Sequence, residues 1–197
     1  MAIISKNAFL TADEMRGNAQ YITQYLTARG WTLNAIAGML GNMQTESTIN
    51  PGIWQNLDAG NTSLGFGLVQ WTPATKLIEW AQSRSLDYTH MDTQLERILY
   101  ELENGLQYYP TDSYPLSFVD FSKSTESAYY LAGAFLYNYE RPAEPNAVLR
   151  GNQGAEWYAY ISGLDVGGGG SDAPIVTPTK PKKHQLSLMM KYFATRR

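Results

Sequence analysis

The sequence predicts an α+β fold that is mostly α, with one small β region between helices and a linker and basic tail at the C-terminal end. Three observations predict it. Apolar residues recur at helical spacing through most of residues 1–165. Between Asn50 and Thr72 that period gives way to Gly, Asn, Pro and Asp around short apolar pieces, the pattern of turns and small strands. After Asp165 the chain enters Gly167-Gly168-Gly169-Gly170-Ser171 and then the spaced prolines 174, 178 and 181, a flexible spacer followed by an extended one.

Each element has a local reason. Thr11, with Glu14 three residues on, forms a capping box for a helix reaching about Arg29, where Gly30 stops it. Thr32 opens the next helix, with Leu33, Ile36, Ala37 and Leu40 as its buried stripe. Pro73 suits the first turn of a helix running to about Ser85. A run over 92–104 is striped by Leu95, Ile98, Leu99 and Leu102; Thr125 begins a longer apolar run to about Tyr139, and 155–161 adds a last short helix. These elements make one domain over 1–165, a linker over 166–181 and a tail over 182–197, with no internal repeat.

Composition narrows the chemistry. With 197 residues, 44% of them hydrophobic, the chain has enough for one core. Its five Trp and fourteen Tyr suit both a core and flat platforms for sugars. The absence of Cys excludes a disulfide framework and any thiolate nucleophile or metal site. His90 and His184, far apart, give neither a zinc site nor a Ser-His-Asp triad, so no metal and no cofactor is expected.

The net charge of −3 hides an asymmetry: residues 1–165 carry 9 Lys+Arg against 17 Asp+Glu (−8), and residues 166–197 carry 6 against 1 (+5). In the basic tail, Leu186, Met189, Met190 and Phe193 stand at i, i+3, i+4 and i+7, the spacing of a short amphipathic helix. The first residues lack the apolar run of a secretory signal, and no stretch approaches the roughly 20 apolar residues that span a bilayer. The expectation is a chain made soluble in the cytosol, without a signal peptide.

Cleaving a glycosidic bond needs a carboxylic acid held protonated near neutral pH, which a protein arranges by setting a carboxyl against apolar surface. Glu46 fits. It ends an apolar-striped helix, roughly 120° from the Leu33/Ile36/Leu40 stripe at about 100° per residue, and so lies at the edge of the core. Asp58 is the nearest second carboxylate in sequence, although Asn56-Leu57-Asp58-Ala59-Gly60 is also simply a good turn. Gln70 and Ser63 are the polar binding candidates of the β region, Gln70 offering an amide to N-acetyl groups or tying two strands together. Trp54 and Trp71 serve as platforms or as core. Tyr139-Glu140-Arg141 before Pro142 reads as an internal ion pair with a helix terminator.

Glu46-Ser47, followed by Gly65-Phe66-Gly67-Leu68-Val69-Gln70-Trp71, resembles the core of the goose-type lysozyme and lytic transglycosylase superfamily. More closely, residues 7–165 resemble the lysozyme domain of the tail-associated cell-wall hydrolases of short-tailed phages of Gram-positive bacteria. Gly38-Met39-Leu40-Gly41-Asn42-Met43-Gln44, Asn50-Pro51-Gly52, Trp54-Gln55-Asn56-Leu57-Asp58, Gln70-Trp71-Thr72-Pro73 and Tyr139-Glu140-Arg141-Pro142 carry that likeness, in order. It implies a lysozyme-like fold, Glu46 as general acid and the peptidoglycan glycan strand as substrate. It also implies a cleft-lining place for Tyr139, where the related transglycosylases have a tyrosine.

The activity implied is that of a muramidase carried in the virion tail. Its alternatives are a lytic transglycosylase, an endolysin waiting in the host cytoplasm for holin-dependent release, and a catalytically silent tail or wall-binding protein. Where such hydrolases continue past a glycine-rich linker into a zinc peptidase domain, this sequence has a basic tail without ligands for zinc, so peptide cutting is not expected. Three roles suit the tail: docking on anionic wall polymers or membrane, anchoring to phage tail proteins, or staying solvated. No motif points to nucleic acid, and a monomer is expected.

Overall fold

Seven α-helices carry residues 2–164, the part of the chain that the computed structural model describes. The linker and the basic tail, 166–181 and 182–197, lie outside the described residues. Helix α1, Ala12–Thr27, begins as the sequence predicts: Thr11 Oγ1 accepts from the Glu14 amide at 3.3 Å, and Glu14 Oε2 accepts from the Thr11 amide at 2.8 Å. Helix α2, Leu33–Ser47, is capped by Thr32, whose Oγ1 accepts from the Ala35 amide at 3.1 Å. Then come α3, Thr75–Gln82, α4, Met91–Glu103, α5, Phe118–Lys123, α6, Ala128–Phe135, and α7, Ala147–Ile161.

The central element is α2. Eleven of its fifteen residues are buried, so it is covered nearly all round rather than along one stripe. Helices α6 and α7 are its main neighbours, with α1 alongside. What lets α7 lie so close is Gly41: a Cβ there would stand 2.6 Å from the Gly154 amide nitrogen and 2.7 Å from the Arg150 carbonyl oxygen. That close approach matters for the site, because it sets Arg150 beside the last turns of α2.

Three elements differ from expectation. The last helix is twice as long as the sequence suggested, because its true start is Asn146, whose Oδ1 caps the Leu149 amide at 3.0 Å. Helix α5 has only six residues, too few to show a period, and is set by its Ser117 cap. The run from Thr125 to Tyr139 divides into α6, capped by Ser127, and a π-helical turn, Leu136–Glu140.

The expected small strands reduce to isolated antiparallel bridges, Trp54 with Phe66 and Phe66 with Trp71, beside a 3-10 turn at Gln55–Leu57. Gly67 at φ +81° and Gln70 at φ +50° turn the backbone too tightly for a ladder to extend. No helix among the described residues is long and apolar enough to cross a membrane.

Candidate active site

The end of α2 supplies the site. The helix stops in two consecutive left-handed residues, Thr48 at φ +54° and Ile49 at φ +55°. Just before them, Ser47 Oγ donates to the Leu68 carbonyl at 2.8 Å, which fastens the glycine-rich 65–71 segment to this end of the helix. A second tie is the buried Gln94 of α4, whose side chain accepts from the Leu68 amide at 2.8 Å and donates to Pro51 and Tyr88 carbonyls. These bonds hold the 65–71 loop against the end of α2 and against α4.

Glu46 lies at the edge of this arrangement, its side chain 10% exposed. Its partner is Arg150 of α7, 2% exposed, whose Nη2 meets Glu46 Oε1 at 2.5 Å. Arg150 is itself positioned by Nη1 donating to the Asn42 carbonyl at 2.8 Å, while its Nε is buried without a hydrogen-bond partner among the described residues. Further along the same seam, Thr45 Oγ1 donates to Gln153 at 2.7 Å and the Trp157 indole donates to Gln44 at 2.7 Å. The α2–α7 contact is thus polar on one side, and Glu46 is at its open edge.

A second network surrounds Glu101 of α4, which is buried. Its carboxylate accepts from Arg97 Nε at 2.8 Å, the Trp71 indole at 3.0 Å and the Tyr139 hydroxyl at 2.5 Å. Burial nevertheless dominates and holds the Glu101 pKa above the usual carboxylate value, while its three donors pull the other way. Glu140 belongs to both networks electrostatically. Burial first, and the Glu46 charge next, push its pKa well above the ordinary range; Arg150 and Arg141 oppose and Glu101 adds to the rise.

Residues 17–161 match the phage tail lysozyme family. The chain belongs to that family. Over 159 residues it is also 60% identical to morphogenesis protein 1 of Bacillus phage B103, covering 81% of this chain and 43% of that protein. The chain therefore spans less than half the length of this relative.

For a phage tail lysozyme domain, the remaining sequence candidates divide instructively. Trp54 and Trp71 are buried, Trp71 only 3% exposed, and neither ring is free to carry a sugar; Trp54 packs on Phe66 with centroids 4.6 Å apart. Tyr139 is 1% exposed, stacked on Phe135 and bonded to Glu101, so it lies in the core rather than on a cleft wall. Gln70 spends its amide on the Ile53 and Gly67 carbonyls at 3.2 and 3.0 Å, the tying role.

Asp58 and Ser63 are exposed and fold back on one turn: Asn61 donates to Asp58 at 2.8 Å and Ser63 Oγ donates to Asn61 at 2.6 Å. Nor does Arg141 pair with Glu140. It turns to the Gln107 and Asn138 carbonyls from a left-handed residue at φ +48°. Two cavities among the described residues, about 280 Å³ against Tyr25, Trp80 and Tyr100 and about 350 Å³ against Ile4, Glu14 and Tyr160, are not lined by Glu46. Among the described residues, no group of His, Cys, Asp and Glu is arranged to hold a metal ion.

Sequence reading missed Arg150, Glu101 and the covered carboxyl oxygen of Glu140. A signal was present for two of them. Arg150 shares a helical face with Gly154, Trp157 and Ile161, and Glu101 stands three residues after Ile98 on the buried stripe of α4. A charged residue at a stripe position is a polar group that the fold must satisfy.

Proposed function

We propose that this phage tail lysozyme domain is a muramidase that hydrolyses the glycan strand of Gram-positive peptidoglycan, with Glu46 as general acid. One observation carries the reading: a carboxyl of low exposure in the last turn of the central helix is gripped by the buried Arg150 and directly precedes Ser47, whose hydroxyl fastens the 65–71 loop.

The chemistry follows from that placement. The protonated Glu46 gives its proton to the bridging oxygen between N-acetylmuramic acid and N-acetylglucosamine as the bond to the anomeric carbon breaks. Water then adds its hydroxyl to that carbon and returns its second proton to the carboxylate. Arg150 stabilises the charge that appears on Glu46 after the first transfer. The phage tail lysozyme family, together with the name of the phage B103 relative, a morphogenesis protein, supports a place in the particle, at the tail.

Glu46→Gln keeps the shape and removes the proton donor. The expected loss of reducing-end release from purified Gram-positive walls is about 10²–10⁴-fold, with the fold intact by circular dichroism. Full activity of E46Q would remove Glu46 from the mechanism. Product masses decide the reaction type: hydrolysis leaves reducing ends, whereas anhydro-muramic ends, lighter by one water, would mark a lytic transglycosylase.

A further inference from the structure

Three helices meet around the cavity of about 280 Å³ that Glu46 does not line. Helix α4 gives it Glu96, Leu99, Tyr100 and Glu103, at i, i+3, i+4 and i+7 on the face turned away from the buried Gln94, Ile98 and Glu101. Helix α1 adds Tyr25 and, two residues past its end, Arg29; α3 adds Trp80 and, two residues past its end, Arg84. The Tyr21 hydroxyl donates to Asp92 at 2.5 Å and ties α1 to α4, so the groove is built into the fold.

Two of its residues carry polar atoms that the fold does not satisfy. The Tyr25 hydroxyl and the Trp80 indole nitrogen are buried and have no hydrogen-bond partner among the described residues, whereas a covered hydroxyl or indole N–H usually has one. Beside them lies an aromatic pair, Trp80 and Tyr100, both half-buried, with centroids 5.6 Å apart. The Arg84 guanidinium stands 4.6 Å from the Trp80 ring and 4.9 Å from the Tyr100 ring; Arg97 stands 5.4 and 5.5 Å from the same two. Arg97 is held by Glu101 at 2.8 Å. Arg84 is exposed and bonds only to the Trp80 carbonyl and Ser83, so it is a loose cover: an exposed cation–π contact is weak, and its withdrawal frees both rings.

The charges of the lining select the ligand. Arg29 and Arg84 balance Glu96 and Glu103, so an anion meets two carboxylates and a cation meets two guanidiniums. A neutral ligand rich in hydroxyl and carbonyl oxygens finds donors and acceptors together, with flat rings for its C–H face. That is the chemistry of an N-acetylated sugar. The volume lies near the lower end of the roughly 300–1,000 Å³ of small-molecule pockets, which suits a single sugar unit.

We propose that this groove is a second, non-catalytic saccharide site, holding one N-acetylated amino sugar of the glycan strand, with Trp80 and Tyr100 as its platform and Arg84 as its movable cover. It rests on the muramidase reading above only for the polymer named. The Trp80 indole and the Tyr25 hydroxyl give their unspent hydrogen bonds to sugar oxygens, and the domain gains a hold on the strand apart from Glu46.

The test follows the indole N–H signals of the five tryptophans by NMR, in the full chain of wild type and E46Q, as the N-acetylglucosamine tetramer is added. Trp80→Phe keeps a ring and identifies the Trp80 signal by its loss. That signal is expected to move and saturate in both proteins, and Tyr100→Ala to weaken the binding it reports by about tenfold. A Trp80 signal that stays in place at concentrations that shift other residues of the domain overturns the proposal, as does one moved by inorganic phosphate and not by the sugar. A wild type that releases no sugar ends from walls defeats the muramidase reading alone, since the indole reports binding without turnover.

Discussion

Two glutamates of this domain, the buried Glu101 and the partly covered Glu140, meet the same physics differently. Burial is the leading cause of a raised pKa in both. Glu101 answers with donors from Arg97, Trp71 and Tyr139, and in doing so ties α4 to the 65–71 loop and to the π-helical turn. Glu140 has an oxygen with no donor and faces the charge of Glu46. A carboxyl that a fold surrounds with donors holds the fold together. An oxygen that it leaves buried without a donor weakens the fold instead.

The comparison can be broken at either residue. Glu101→Ala carries the largest expected effect on stability: it strands the Trp71 indole, the Tyr139 hydroxyl and the largely buried Arg97 together, for a loss of about 3–5 kcal/mol in urea unfolding. Activity per folded molecule should change far less than in E46Q. A stable but inactive E101A would move Glu101 from scaffold to mechanism.

Glu140→Gln should act with the opposite sign. A carboxyl whose folded pKa lies above its unfolded value, 4.5, favours the native state below that pH, and the benefit disappears as pH rises through the folded pKa. Replacing it by a neutral amide removes the penalty at neutral pH. E140Q is therefore expected to melt higher than wild type near neutrality, by about 2–4 °C for each kcal/mol recovered, with the gap closing in acid. Wild-type melting at every pH would mean that Glu140 is as well satisfied as Glu101.

The same contrast explains what was legible in the sequence. Glu46 is singled out because helix end, glycine-rich loop and motif order all point to it, and the caps at Thr11 and Thr32 are local signals that tertiary structure left alone. Arg150 was missed because the start of α7 hides behind Pro142, Glu144, Pro145 and Asn146, which read as loop until the Asn146 cap is seen. Trp54, Trp71 and Tyr139 were taken as possible cleft residues because ring type does not reveal burial; what decided their place was a hydrogen-bond partner or ring stack supplied by a distant element. Glu140 was read as half of a local ion pair, and only the left-handed turn at Arg141 shows its neighbour leaving it.

The smallest expected effect is the sharpest test of whether Asp58 is a second catalytic carboxyl. Asp58 and Ser63 are exposed, and both spend their polar atoms on Asn61 within one surface turn. Asp58→Asn exchanges a carboxylate for an amide of the same shape whose oxygen still accepts from Asn61. Stability should therefore stay within about 0.5 kcal/mol, as for most surface substitutions, and reducing-end release within about twofold. Ser63→Ala, which removes only one bond of the same turn, should behave alike. Were Asp58 the second carboxyl of the reaction, D58N would lose about 10²–10⁴-fold instead, with its pH limb displaced. A loss of that size would make Asp58 the second carboxyl and set its exposed turn beside Glu46 during the reaction.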